Sequence, residues 1–259
     1  MTELGAVLAI AHRDLLKFLR DRPRIVTTLV FPFLFIGALG GSLQGAFGRS
    51  LGFDFVAFTL TGVFAQSLFQ SAAMGIVSLV EDRQNDFSQE IFVSPISRYS
   101  IVLGKVVGES LVALVQGAAI LLFGLVLGVR LTGADLAAFL LVGIAVCLFG
   151  GAFGIVVLGN ISTQRAANQI FPFIMLPQFF LAGVFNPIDN LPLPLDVLSR
   201  VSPLRYAVDL ARGVYYLGRP EYGRAVLASP TFNLVVMAAA FVAFMVVGTH
   251  LFVRNERNR

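Results

Sequence analysis

Three successive apolar stretches, Phe53 to Val80, Ile101 to Val129 and Leu136 to Gly159, dominate this sequence, and each exceeds the roughly 20 residues that carry a helix across a bilayer's hydrocarbon core. Shorter runs flank them at 25–43, 170–184 and 232–252. Six runs within 259 residues predict an all-α membrane protein forming one transmembrane domain over 1–259, with no room for a second globular unit. Composition agrees: 57% of residues are hydrophobic and only 13% are charged, against about a quarter in soluble domains.

Within this frame the local signals differ. Residues 3–21 put Leu4, Leu8, Ala11, Leu15 and Phe18 at helical spacing, with Arg13, Asp14, Lys17, Arg20 and Asp21 on other faces, and predict an amphipathic helix lying in the membrane interface. Pro23 separates it from the first span, which contains Pro32 and is expected to be an uncleaved anchor rather than a signal peptide. Thr132 and Asp135 have the spacing of a helix cap at the start of the fourth span. The fifth run, with Pro172 and Pro177, predicts a broken helix. Residues 186–231, punctuated by six prolines, predict short helices dipping into or lying on the outer leaflet.

The net charge of +4 does not form a nucleic-acid patch, because the 19 basic residues are spread between the apolar runs. Twelve of them fall on the side shared by the two termini, which places both termini in the cytoplasm. Cys147 is the one cysteine and lies inside an apolar run, so neither a disulfide framework nor a cysteine metal site is expected. The sequence Gly104-Lys105-Val106, with Tyr99 at the first glycine position, is the nearest approach to a phosphate-binding loop and lacks both the first glycine and the hydroxyl residue. No catalytic motif is present, and no cofactor is expected on this chain.

Polar residues inside the spans are few. Gln66 and Gln70 are one turn apart in the second span beside Ser67 and Ser71, and read either as the lining of a path for an amphiphile, with Phe69 and Phe179, or as hydrogen-bonded glue between helices. Glu109 follows Lys105 by one turn and reads as a local ion pair or as an ion site. Gly-x-x-x-Gly spacings occur at Gly37/Gly41, Gly104/Gly108, Gly124/Gly128 and Gly150/Gly154, a frequency 25 glycines produce by chance. The stretch 81–105 is charged, with Phe87 and Ile91 on one helical face and Asp86 and Glu90 on another, and has the form of a docking element or of an ordinary solvated loop.

Glu90, Ser94-Pro95-Ile96-Ser97-Arg98 and Lys105 closely resemble the cytoplasmic segment in the membrane subunits of type-2 ABC exporters, the group that includes drug-resistance, nodulation-factor and polysaccharide-export permeases. Leu181 to Pro187, Asn190-Leu191-Pro192, Ser202-Pro203-Leu204-Arg205-Tyr206 and Asp209 to Arg212 also resemble that family. One departure is Phe87, where many members carry glycine. The resemblance implies a half-transporter: two permease subunits, identical or paralogous, pair in the inner membrane, and two ATP-binding cassette subunits that hold ATP and magnesium dock below them. It further implies that Glu81, Asp82, Asp86, Phe87, Glu90, Ser94, Pro95 and Arg98 contact the ATPase, and that Phe185, Asn186 and Pro187 belong to an external gate. A partner-independent secondary transporter or channel and a structural membrane scaffold are the competing classes.

Overall fold

The computed structural model describes residues 3–48, 53–78, 80, 97–159, 161, 163–188 and 191–257, and among them every regular element is a helix. α1 covers Glu3–Arg20. α2 starts at Arg22, where the Asp21 carboxylate accepts the Arg24 amide at 3.1 Å, and its Pro23 occupies the first turn, where no backbone donor is needed. It runs on through π-helical turns at Phe35–Gly40 and Gln44–Gly48. α3 (Phe55–Gly75) is capped by Asp54, α4 (Arg98–Val126) by Ser97, and α5 (Gly133–Val157) by a reciprocal Thr132–Asp135 box, the pairing expected from the sequence. α6 (Gln164–Leu181), α7 (Leu193–Val201), α8 (Pro203–Tyr215), α9 (Tyr222–Ala225) and α10 (Pro230–Arg257) complete the described fold.

Five helices among the described residues are long and apolar enough to cross a membrane: 22–46, 55–75, 99–126, 133–157 and 222–254. The run at 170–184 is not a broken helix. α6 is continuous from Gln164 through both prolines, because residues 164–169 contribute a polar first turn and a half ahead of the apolar run. Each proline removes one ladder donor and kinks such a helix without ending it. Those polar first turns lower the mean hydropathy of its 18 residues and leave α6 outside the set of five.

The spans play unequal parts. In α3, 83% of the span window is buried, against 17% in 22–46 and in 222–254, so α3 is the axis and the first and last spans leave most of their apolar side chains facing outward. α4, α5 and α8 pack directly on α3. Lipid tails are as apolar as these side chains, so close packing rather than the hydrophobic effect holds such helices together. Two of the glycine spacings serve it. A methyl at Gly150 or Gly154 would collide with the Phe69 or Ala73 carbonyl, so α5 rides against the α3 backbone itself. Gly104 and Gly108 accept Ile10, Ala11 and Asp14 of α1, whereas Gly41 and Gly128 face open space.

α1 lies along α4, with its first residue at the start of that helix. The Glu3 carboxylate accepts the Ser97 amide at 3.3 Å and the Ser100 hydroxyl, placing a negative charge at the N-terminus of α4. The buried face of α1 combines Ala11 and Phe18 of the apolar stripe with Asp14. Ala11, Asp14 and Phe18 are buried, while Leu4 and Leu8 are exposed at 69% and 58%. Asp14 shares a face with Ala11 and Phe18, three and four residues away, and its burial is tolerated because Lys105 of α4 meets it at 3.1 Å.

Candidate functional site

Two clusters of buried charge mark the two ends of the bundle, and a cavity lies next to one of them. At the near end, defined by α1 and the start of α4, Lys105 reaches Asp14 and also donates to Ser78 at 3.0 Å. The Ser78 hydroxyl shares its proton between the Gly75 carbonyl at 2.6 Å and the Glu109 carboxylate at 3.3 Å, and Arg24 of α2 lies 3.7 Å from that carboxylate. Lys105, Glu109 and Asp14 are each 5% exposed or less. Charges this deep persist only when paired. The Lys105 and Glu109 of the sequence are thus part of a chain of contacts joining α1, α2, α4 and the segment after α3, and wider than a local pair.

Above this cluster a cavity of about 360 Å³ opens between α2, α3 and α4. Its lining includes Arg24, Thr28, Ser67, Gln70, Ser71 and Gln116 alongside Phe31, Pro32 and Met74. A second cavity of about 210 Å³ is apolar apart from Gln70, with Pro172, Phe173, Met175, Leu176 and Phe179 of α6 around it. Gln70 belongs to both walls. A polar chamber and an apolar groove meeting at one side chain suit a ligand with a polar head and an apolar tail.

The residues singled out in the sequence divide accordingly. Gln70 and Phe179 line the cavities, and Phe179 also lies 6.4 Å from Phe31 across the gap between α6 and α2. Gln66 is buried and donates to Gln70 at 2.6 Å, so it orients the lining residue from behind. Phe69 is fully buried on the opposite side of α3, against Phe149 and Phe153 of α5, and lines neither cavity. Glu81, Asp82, Asp86, Phe87, Glu90, Ser94 and Pro95 lie outside the described residues, and of Arg98 only the backbone, at the first turn of α4, is described. Arg24, Thr28 and Gln116 escaped notice. Gln116 carried the same signal as Gln66 and Gln70, a lone amide in an apolar run.

At the far end, α8 is inserted between α3, α5 and α10. Its Arg212 is 2% exposed, donates to the Gly183 and Val184 carbonyls at 2.6 and 3.0 Å, and sits 3.6 Å above the Phe58 ring of α3. Gly62 permits this approach, since a methyl there would strike the Val184 carbonyl. Asp209 accepts the Leu227 and Ala228 amides at 2.8 and 2.9 Å and the Asn233 amide group at 2.7 Å. Phe185 stacks on Phe35 of α2 at 4.8 Å, while Asn186 and Pro187 are exposed just beyond, joined by a bond from the Asn186 amide to the Pro187 carbonyl. Arg219 ties this end to α5 through Asp135 at 2.9 Å.

Residues 5–216 match the family described as ABC-2 type transporter. The chain is 28% identical over 140 residues to a probable multidrug ABC transporter permease, YbhR, of Escherichia coli K12, a match spanning 54% of this chain and 38% of that protein's length. It is 25% identical to a putative transport permease, ycf38, of Cyanophora paradoxa over 76% of this chain and 70% of the relative. With nodulation protein J of Rhizobium leguminosarum bv. viciae it shares 24% identity over 89% of this chain and 87% of the relative. The match to the family covers well over half of the sequence, from α1 to the end of α8: this chain belongs to the ABC-2 type transporters and is a multi-pass permease of that family.

Proposed function

We propose that this permease is the transmembrane subunit of an ATP-binding cassette exporter that moves an amphiphilic molecule outward, either a drug-like compound, a lipid or a lipid-linked glycan. The supporting observation is the meeting of the polar cavity and the apolar α6 groove at Gln70, inside a chain of the ABC-2 family. Two copies of a separate ATP-binding subunit hold ATP and magnesium, and a second copy or paralogue of this permease completes the path. The chain itself carries no phosphate-binding loop in its sequence and is no enzyme.

In this reading α6 is the fifth of six spans, the near end and both termini face the cytoplasm, and the protein resides in the inner membrane. The basic residues of α1, the 81–105 stretch and the C-terminal tail support that orientation. The stretch containing Glu81, Asp82, Asp86, Phe87, Glu90, Ser94, Pro95 and Arg98 docks on the ATPase together with α1, and movement passes through the charge cluster to the cavity walls. Phe185, Asn186 and Pro187 close the outer side.

Affinity purification from native membranes in mild detergent, followed by an ATPase assay, tests the proposal. A stoichiometric soluble subunit bearing Gly-x-x-x-x-Gly-Lys-Ser/Thr, with hydrolysis stimulated by amphiphiles, is the expected result. Its reproducible absence returns the chain to a partner-independent transporter. Glu90→Ala combined with Phe87→Ala is expected to lower transport and substrate-linked ATPase activity without preventing insertion, and unchanged coupling in that variant removes the docking claim.

A further inference from the structure

The polar cavity has a chemical bias. Among the described residues lining it, Arg24 is the one charged side chain, and no carboxylate is on the wall. The Thr27 and Thr28 hydroxyls donate to the Pro23 and Arg24 carbonyls of their own helix at 3.0 and 2.9 Å. The oxygen of Gln70 accepts from Gln66, which leaves its amide nitrogen as the group offered to the chamber. Gln116 adds a second amide, itself only 5% exposed, and Ser67 and Ser71 add hydroxyls. The Thr27 and Thr28 protons are thereby spent on their own helix, and the donors fixed on the wall are the Arg24 guanidinium and the Gln70 amide nitrogen.

From this we infer that the cavity is a subsite for an anionic head group, a phosphate or carboxylate, carried on an apolar tail that lies along α6 against Phe173, Leu176 and Phe179. The inference rests on the exporter reading, to which it adds the charge of the substrate. A guanidinium binds such an oxyanion through two parallel bonds, a geometry that an ammonium cannot copy. Its present counter-charge is Glu109, at 3.7 Å an ion pair looser than a hydrogen bond. An incoming oxyanion competes with Glu109 for Arg24. Glu109 also accepts from Ser78, the residue that receives Lys105, so head-group binding acts on the chain of contacts that ends at Asp14 of α1.

The test uses the full chain in nanodiscs of zwitterionic phosphatidylcholine, with dodecyl phosphate bearing a photoactivatable diazirine in its tail. The expected result is saturable labelling of α6. Unlabelled dodecyl phosphate competes, while dodecyl maltoside and inorganic phosphate do not. Arg24→Gln raises the half-saturating concentration about tenfold or more, with Arg24→Lys in between. Glu109→Gln lowers it severalfold, because the competing carboxylate is gone, and this variant carries the test should Arg24→Gln fail to insert. A merely structural Arg24–Glu109 pair predicts weaker labelling in both variants, and that result overturns the subsite. Equal competition by dodecyl maltoside overturns the anionic preference while leaving amphiphile export standing. Competition by inorganic phosphate alone overturns the role of the tail, and absence of saturable labelling overturns the subsite while leaving export of other amphiphiles standing. None of these outcomes bears on whether an ATP-binding subunit accompanies the chain.

Discussion

The near and far ends of the bundle both bury charge, yet they satisfy it in different ways. At the far end the partners of Arg212 and Asp209 are mainly backbone groups, the carbonyls of 183 and 184 and the amides of 227 and 228. At the near end the partners of the charges are mainly other side chains, Asp14 with Lys105, Lys105 with Ser78, and Glu109 with Ser78 and Arg24, contributed by separate elements. A charge bonded to main chain fixes the path of that chain. Side chains in a series exchange partners when a helix shifts by one or two ångströms, which is how small displacements become discrete states. The far end is built as a brace and the near end as a joint.

The brace is the place where a single change does most harm. Asp209→Ala strands two backbone amides and the Asn233 side chain in a buried setting, and is expected to cost about 3 kcal/mol or more. Arg212→Ala exposes the 183 and 184 carbonyls in the same way. Both are read as a fall in thermal midpoint in detergent, and Asp209→Asn recovers only part of it because one amide nitrogen replaces an accepting oxygen. If either alanine variant melts like the wild type, the far end is no brace.

Next come the glycines at the axis. Gly150→Ala or Gly154→Ala forces α5 away from α3, at a cost of about 1–3 kcal/mol, and the pair together costs more than either alone. Gly41→Ala and Gly128→Ala sharpen the contrast in opposite ways. The first faces open space with an ordinary helical backbone, φ −64° and ψ −41°, and is expected to leave the midpoint unchanged. The second also faces open space but has φ +86°, so it loses stability through the backbone alone.

The joint behaves differently under single and double change. Lys105→Met takes from Asp14 its buried partner and leaves it the half-exposed Arg13 guanidinium, and is expected to destabilise by less than the roughly 3 kcal/mol of a fully orphaned buried charge. Asp14→Leu with Lys105→Met removes both charges and is expected to restore most of the loss, since paired buried ions are replaceable by apolar residues of similar size. In the assembled transporter that double variant inserts and melts normally but transports poorly, separating coupling from stability. A double variant with full transport shows that the ion pair is scaffold only.

How much of this was legible follows from where the information sits. The apolar runs announced the helices because a spanning helix must be apolar along its whole length, and Thr132–Asp135 announced a cap because its partners are three residues apart. Gln66 and Gln70 stood out against an apolar background for the same reason. Asp14 did not, because its partner Lys105 is 91 positions away and its neighbour Arg13 offered a local explanation for it. The continuity of α6 was hidden because its first turns are polar and its prolines imitate breaks. Phe69 looked like lining because it lies beside Gln70, but adjacent residues of a helix point about 100° apart, and only the packing of α5 decides which of them faces the path.

The smallest expected effect concerns how α1 is held. The Ser100 hydroxyl and the Ser97 amide at the start of α4 keep the Glu3 carboxyl below the ordinary glutamate value of 4.5, although burial opposes the shift. A group whose value is lower in the folded state contributes stability that is complete above its unfolded value and is lost as pH falls through the folded one. Tethering of α1 is therefore expected to be constant near neutrality and to loosen as the medium is acidified below about pH 4.5, detected as faster amide exchange in residues 4–10. Glu3→Gln should exchange at the faster rate at neutral pH and show no further acid dependence from this contact. Because Glu3 is exposed, the effect is local, and the thermal midpoint should not move. If Glu3→Gln lowers the midpoint as far as Lys105→Met, the first turn of α1 carries as much of the joint as the buried pair does, and the joint extends to the very start of the helix.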